Sequence, residues 1–194
     1  RMIVPKSEMS RVSFIDIRRS FAHCVDKCLA EWANVLTAAE FVGGKRVAEI
    51  EKRLCESLSV SFAYACANGT GALILALQAS GVKAGMKVAL PNLTFWASYE
   101  AVVQIGAVPV LVDLDSSDLQ IDLKEFKEAH RKHRFEAALL VHLFGWSSSS
   151  LGETRAFCAQ EGILCIEDGA QAFGVKIDGR SIFEKAQAAT LSFY

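Results

Sequence analysis

The chain reads as an α/β protein, a three-layer α-β-α arrangement around a mostly parallel sheet, and three observations predict this. From residue 62 onward, short apolar runs alternate with stretches of helical period, the signature of strand, crossover helix and next strand. Apart from Lys87 the runs are apolar, as in strands with helices on both faces. No linker divides the chain, and 52% of its 194 residues are hydrophobic, enough for one sizeable core.

The elements follow in order. Phe21–Leu36 carries apolar residues at 21, 24, 25, 28, 29, 32, 35 and 36, one face of a helix. Phe41-Val-Gly-Gly44 is a turn, and a second amphipathic helix points Val47, Ile50, Leu54 and Leu58 inward. Strands are expected at Phe62–Cys66, Lys87–Leu90, Val108–Val112, Ala137–Val141 and Ile163–Ile166, with helices near 70–80, 95–105, 122–133 and 150–161. Asp122-Leu-Lys-Glu125 and Ser150-Leu-Gly-Glu153 both match the capping box. Thr190–Tyr194 reads as a strand cut in mid-course, and the chain opens on Arg1 rather than methionine. A fragment of a longer protein is therefore expected. Nothing present resembles a signal peptide. Internal repeats are absent, and Ser147–Ser150 is the one low-complexity tract.

Composition excludes several function classes. Lysine plus arginine total 21 against 22 acidic residues, so there is no basic footprint for nucleic acid. The longest strongly apolar stretches, Ala72–Leu77 and Val108–Val112, fall far short of the ~20 residues that cross a bilayer. The six cysteines form no C-x-x-C pair and no metal-spaced cluster with histidine, which predicts reduced core cysteines in a cytoplasmic protein and no metal site. Cys24 and Cys28 share a helix face with Phe21, Leu29 and Trp32, read as packing.

In an open parallel sheet, ligands gather at the carboxyl ends of strands, and three segments fall there. Asn68-Gly-Thr-Gly71 opens a helix. Its small residues and orphan amides suit a phosphate, although the same residues make an ordinary capped turn. It carries neither G-x-G-x-x-G nor a P-loop lysine. Pro91-Asn-Leu-Thr-Phe95-Trp96 sets two aromatics at a strand end, where they could stack on a flat ligand or simply join the core. Glu167-Asp168 closes a buried strand and is followed by small apolar residues. This suggests that Asp168 is held inside against a cationic partner rather than in a solvated turn. One ligand with a phosphate, a flat ring and a protonatable nitrogen satisfies all three, and pyridoxal 5′-phosphate is such a ligand.

The succession Phe41-Val-Gly-Gly44, Asn68-Gly-Thr-Gly-Ala-Leu73, Pro91–Phe95, Gly106–Asp113, Val141-His-Leu-Phe-Gly145, Ile166-Glu-Asp-Gly-Ala-Gln171 and Leu191-Ser-Phe-Tyr194 resembles the DegT/DnrJ/EryC1/StrS sugar aminotransferases, pyridoxal phosphate enzymes of fold type I. The resemblance runs from about residue 14 to the end. It implies a lead-in over 1–20, part of the cofactor-binding large domain over 21–194, and a small carboxyl-terminal domain outside the chain. It also implies that Gly69, Thr70, Gly71 and Ser192 hold the cofactor phosphate, that Phe95 stacks on the ring, that Asp168 pairs with the ring nitrogen, and that Gln171 lies near the ring hydroxyl. The family's Schiff-base lysine falls three residues past Tyr194, and neither Lys176 nor Lys185 stands at the matching position. No catalytic residue of the family is thus expected within the chain.

The implied activity is transfer of an amino group from glutamate or glutamine to a nucleotide-linked keto sugar by a cytoplasmic homodimer, with Phe41–Gly44 near the partner subunit's site. The family's sugar 3-dehydratases, which carry histidine at the lysine position, and non-catalytic regulatory relatives are the alternatives. A cysteine desulfurase branch of the same fold is a weaker one. Two departures from the family pattern stand out: Trp146 and four serines where proline and aspartate usually follow Gly145, and Gly169 where alanine or cysteine is common.

Overall fold

The structure is a computed structural model that describes residues 14–193. The chain divides into two compact units, one ending at Arg46 and one beginning at Val47.

In the first unit, α1 (Ile17–Phe21) starts at Asp16, whose carboxylate accepts the Arg19 amide at 3.0 Å. α2 (Val25–Ala38) carries the expected apolar stripe, but the stripe is not in a core. Val25, Leu29, Trp32 and Leu36 are 40–67% exposed, and no residue of α2 is buried. Among the described residues, the face that carries Cys24 and Cys28 with Phe21, Leu29 and Trp32 is therefore not packed into a core. The glycine pair of the following turn has φ of +63° at Gly43 and +81° at Gly44, a conformation that side-chain-bearing residues adopt only under strain.

The second unit is the predicted three-layer arrangement. α3 (Lys45–Leu58) is continuous with it and sets Leu54 and Leu58 against its core, while Ile50 stays exposed. Next come α4 (Gly69–Ala79), β1 (Lys87–Pro91), α5 (Trp96–Gln104), β2 (Val108–Val112), α6 (Leu123–His133) and β3 (Ala137–Val141). A 3-10 turn (Leu143–Gly145), α7 (Leu151–Glu161), β4 (Leu164–Asp168), a short hairpin β5 (Lys176–Ile177) and β6 (Arg180–Ser181), and β7 (Ala188–Thr190) complete it. Five strands form one parallel sheet in the order β2-β1-β3-β4-β7.

The period-2 alternation of strands splits the core in two. Ala89, Ala138, Leu140 and Cys165 face α6 and α7 with Phe126, Leu151 and Cys158. Val88, Leu90, Leu139, Val141 and Ile166 face α4 and α5 with Leu73, Leu77, Ala101 and Val102.

Several expectations need correction. Phe62–Cys66 is not a strand; it is irregular, with Phe62 76% and Tyr64 83% exposed. Its apolar pattern suits a ladder, but neither edge of the described sheet pairs with it. The strand expected at 163–166 runs to Asp168, which puts Glu167 and Asp168 inside the sheet. The terminal strand is earlier and shorter than 190–194, and Tyr194 lies outside the described residues. Asp122 caps α6 by accepting the Lys124 and Glu125 amides at 2.7 and 2.9 Å. Ser150 makes no side-chain cap on α7, because its hydroxyl pairs with Ser148 at 2.8 Å instead. Of the six cysteines, all free thiols, only Cys158 and Cys165 are buried; Cys66 is exposed. The hairpin and α1 were not legible in the sequence pattern.

Candidate active site

Strand order reverses between β1 and β3, which lie side by side while β2 lies beyond β1. The crevice outside the carboxyl ends of the strands at such a reversal is where open α/β sheets bind ligands. The loops after β1, β3, β4 and β7 all emerge at these ends, as does the start of α4.

Asp168, the last residue of β4, is 5% exposed. Being adjacent in a strand, Asp168 and Glu167 point to opposite faces of the sheet, and their surroundings differ. Asp168 faces α5, where Ser98 Oγ donates to its Oδ2 at 2.7 Å, and the Ala170 amide donates to Oδ1 at 3.1 Å. Thr94 Oγ1 lies 2.8 Å from Ser98 Oγ. Glu167 faces α7, where Arg155 donates Nε and Nη2 to its two oxygens, each at 2.7 Å, and His142 Nε2 lies 2.9 Å away. Arg155 also donates to the Ile182 carbonyl. Burial pushes the Glu167 carboxyl upward, but the hydrogen bonds from His142 and Arg155, with their charge, outweigh it and hold the group below the usual carboxylate range. The arginine of this sheet end belongs to Glu167, and the protein donors on the Asp168 side chain are neutral, so no side chain of the described residues supplies the cation expected for Asp168.

The start of α4 sits against the end of β7: a Cβ on Gly69 would lie 3.0 Å from Ser192 Cβ and 3.1 Å from its Oγ. Only glycine allows that approach without a shift. Asn68 caps the helix, its Oδ1 accepting the Gly71 amide at 2.8 Å. That cap engages the Gly71 amide internally, which leaves the first-turn amides of Gly69 and Thr70, with the dipole, to face an anion. Thr190 is 5% exposed, its Oγ1 has no hydrogen-bond partner, and it stands in register with Asp168 on the neighbouring strand.

Phe95 and Trp96 are 69% and 65% exposed at the start of α5, so they are not core aromatics. Gln171 braces the turn after β3: its Oε1 accepts the Phe144 amide at 2.7 Å. Phe144 there adopts a left-handed conformation, with φ 59° and ψ 14°, a strained geometry for a bulky residue. Gly145 (φ +75°) follows, and a Cβ on it would meet the Gln171 carbonyl at 2.9 Å. Gly169, the other departure from the family pattern, has a structural counterpart. A Cβ there would lie 2.3 Å from the Phe183 ring and 2.9 Å from the Thr190 carbonyl, so Phe183 occupies the space that a side chain at 169 would need.

All the residues singled out from the sequence, Gly69, Thr70, Gly71, Phe95, Asp168, Gln171 and Ser192, thus lie at a strand end, on loops or at helix starts. Ser98, Thr94 and Arg155 were missed. The available signal for Ser98 was a lone hydroxyl among Ala97, Ala101 and Val102 on the buried face of a helix. A depression of about 900 Å³ lies elsewhere, along the start of α6 and past Ser148–Ser150, and none of these residues lines it. Among the described residues no cluster of three or more histidine, cysteine or acidic side chains could hold a metal ion. No described helix is long and apolar enough to cross a membrane.

Comparison with known proteins gives this geometry its context. The model of the DegT/DnrJ/EryC1/StrS aminotransferase family matches residues 24–194. A UDP-2-acetamido-2-deoxy-3-oxo-D-glucuronate aminotransferase from Pseudomonas aeruginosa is 33% identical over 183 residues, 94% of this chain and 50% of that protein. The crystal structure of S. venezuelae DesV in complex with a ketimine intermediate superposes with a TM-score of 0.88 at 30% identity, covering 95% of this chain and 49% of that one. That of ntda from Bacillus subtilis with bound cofactor PMP gives 0.87 at 29% identity, covering 97% and 42%. The chain therefore spans about half the length of the curated relatives it matches. Its parallel sheet and flanking helices are those of fold type I, and the chain belongs to the DegT/DnrJ/EryC1/StrS aminotransferase family.

Proposed function

We propose that the protein uses pyridoxal 5′-phosphate to transfer an amino group from glutamate or glutamine to a nucleotide-linked keto sugar, and that residues 21–194 form part of the domain that binds this cofactor. The observation that carries the reading is Asp168, a buried carboxylate at the sheet's carboxyl end whose protein donors are all neutral. Burying such a charge is costly unless a cation meets it, and a protonated pyridine ring is that cation. The orphaned buried hydroxyl of Thr190 beside Asp168 and the approach of Gly69 to Ser192 also fit a bound group.

When bound, the cofactor supplies an electron sink for charge developing on the substrate carbon. Asp168 holds the proton on the ring nitrogen, and exposed Phe95 stacks on the ring face. The amides of Gly69 and Thr70, the Thr70 hydroxyl and Ser192 receive the phosphate at the α4 terminus, while the Gly71 amide keeps the cap in place. Gln171, anchored by the Phe144 amide, lies near the ring hydroxyl. The nucleotide-linked keto sugar is supported by the activity of the Pseudomonas relative. The exposed apolar stripe of α2 supports a homodimer, and six free thiols suit the cytoplasm. The dehydratase alternative has less support, since that relative is an aminotransferase.

The test uses protein expressed from its complete reading frame. Added pyridoxal 5′-phosphate should give a visible absorption band that glutamate or glutamine bleaches, and a UDP-linked 3-keto sugar should return as the amino sugar by mass spectrometry. A protein that binds the cofactor but yields no aminated product from any nucleotide-linked keto sugar is not this enzyme.

A further inference from the structure

We propose that Ser98, supported by Thr94, is a positioning residue that fixes the Asp168 carboxylate for its pairing with the ring nitrogen; this rests on the pyridoxal phosphate reading above. An ionised carboxylate only accepts hydrogen bonds, so the 2.7 Å contact commits the Ser98 proton to Asp168 Oδ2. Ser98 Oγ must then accept from Thr94 Oγ1 at 2.8 Å. The result is a directed chain, Thr94 hydroxyl to Ser98 hydroxyl to Asp168, in which each bond polarises the next.

A merely structural role would look different. A buried helical serine usually bonds back to the carbonyl one turn earlier. Here, however, the Ser98 hydroxyl is fully buried and crosses from α5 to the end of β4, 70 residues away in sequence. The Ala170 amide fixes the other oxygen at 3.1 Å. One donor from α5 and one from the turn after β4 therefore set the carboxylate plane, and each oxygen is held by a neutral group.

The test loads the protein from its complete reading frame with pyridoxal 5′-phosphate labelled with 15N in the ring, and reads the nitrogen shift and the cofactor Kd. Wild type is expected to show a protonated ring nitrogen. S98A should move the shift toward the unprotonated value and weaken cofactor binding about tenfold, the scale of one hydrogen bond to a charged group. T94V should act in the same direction by about threefold, and T94S should behave as wild type. If S98A lowers the melting temperature of cofactor-free protein but leaves the 15N shift and Kd unchanged, Ser98 is structural only and the inference is overturned. Should S98A fail to fold, T94V decides: a wild-type shift and Kd overturn it, and a smaller displacement in the same direction supports it. A wild-type protein that binds no pyridoxal phosphate overturns the functional reading and this inference together, a result distinct from normal loading that is indifferent to Ser98.

Discussion

At the scale of single residues, adjacent carboxylates do different work because a strand sends neighbours to opposite faces. Glu167 belongs to a buried ion pair. Replacing Arg155 with methionine leaves that charge with His142 alone, and should cost about 3–5 kcal/mol, read by chemical denaturation; R155M/E167Q together should cost clearly less than the sum. The sign of the acid response follows from the depressed folded-state value of Glu167. Its contribution is present above the unfolded carboxyl's value of about 4.3 and is lost as pH falls below that value. E167Q should therefore flatten the acid limb of a stability-against-pH curve; an unchanged limb would show that other carboxylates govern it. Gly169 invites a third measurement. Its missing Cβ space holds the Phe183 ring, so G169A should destabilise by about 1–3 kcal/mol, and F183L should soften that penalty in a double-mutant cycle.

At the scale of elements, caps and registers separate sequence signals that act from those that do not. D122A should lower stability by about 1 kcal/mol, because Asp122 holds two amides of α6. S150A should change a thermal melt by less than about 0.5 kcal/mol-equivalent, since Ser150 spends its hydroxyl on Ser148. Equal losses in the two variants would contradict the assignment. Strands β1 to β4 were legible because parallel strands are written as apolar runs, and the β2 edge keeps such a run although Val108 and Leu111 are exposed. Phe62–Cys66 carries the same kind of run and is no strand, because a strand exists only where a neighbour offers its ladder, and periodicity says nothing about neighbours. The hairpin at 176–181 was illegible for the converse reason: its strands are two residues each, too short for a period.

At the scale of the whole molecule, α2 exposes Leu29, Trp32 and Leu36, and the 62–64 segment exposes Phe62 and Tyr64, apolar side chains of the kind that association covers. Residues 1–194 expressed alone should therefore associate as concentration rises, measured by sedimentation velocity, and L29E/W32E should shift the distribution toward monomer; a monodisperse monomer at high concentration would overturn this. By itself the sequence determined the layer architecture, the order of the elements and the candidate residues at the strand ends, because hydrophobic period and capping chemistry are local and written in consecutive residues. Only the tertiary structure decided that Glu167 and not Asp168 owns the arginine, and that Ser98 reaches Asp168 from α5. Those facts depend on which strands lie side by side and on which face of the sheet each helix packs. They arise from pairings between residues 12 to 70 apart, whose partners no local pattern names.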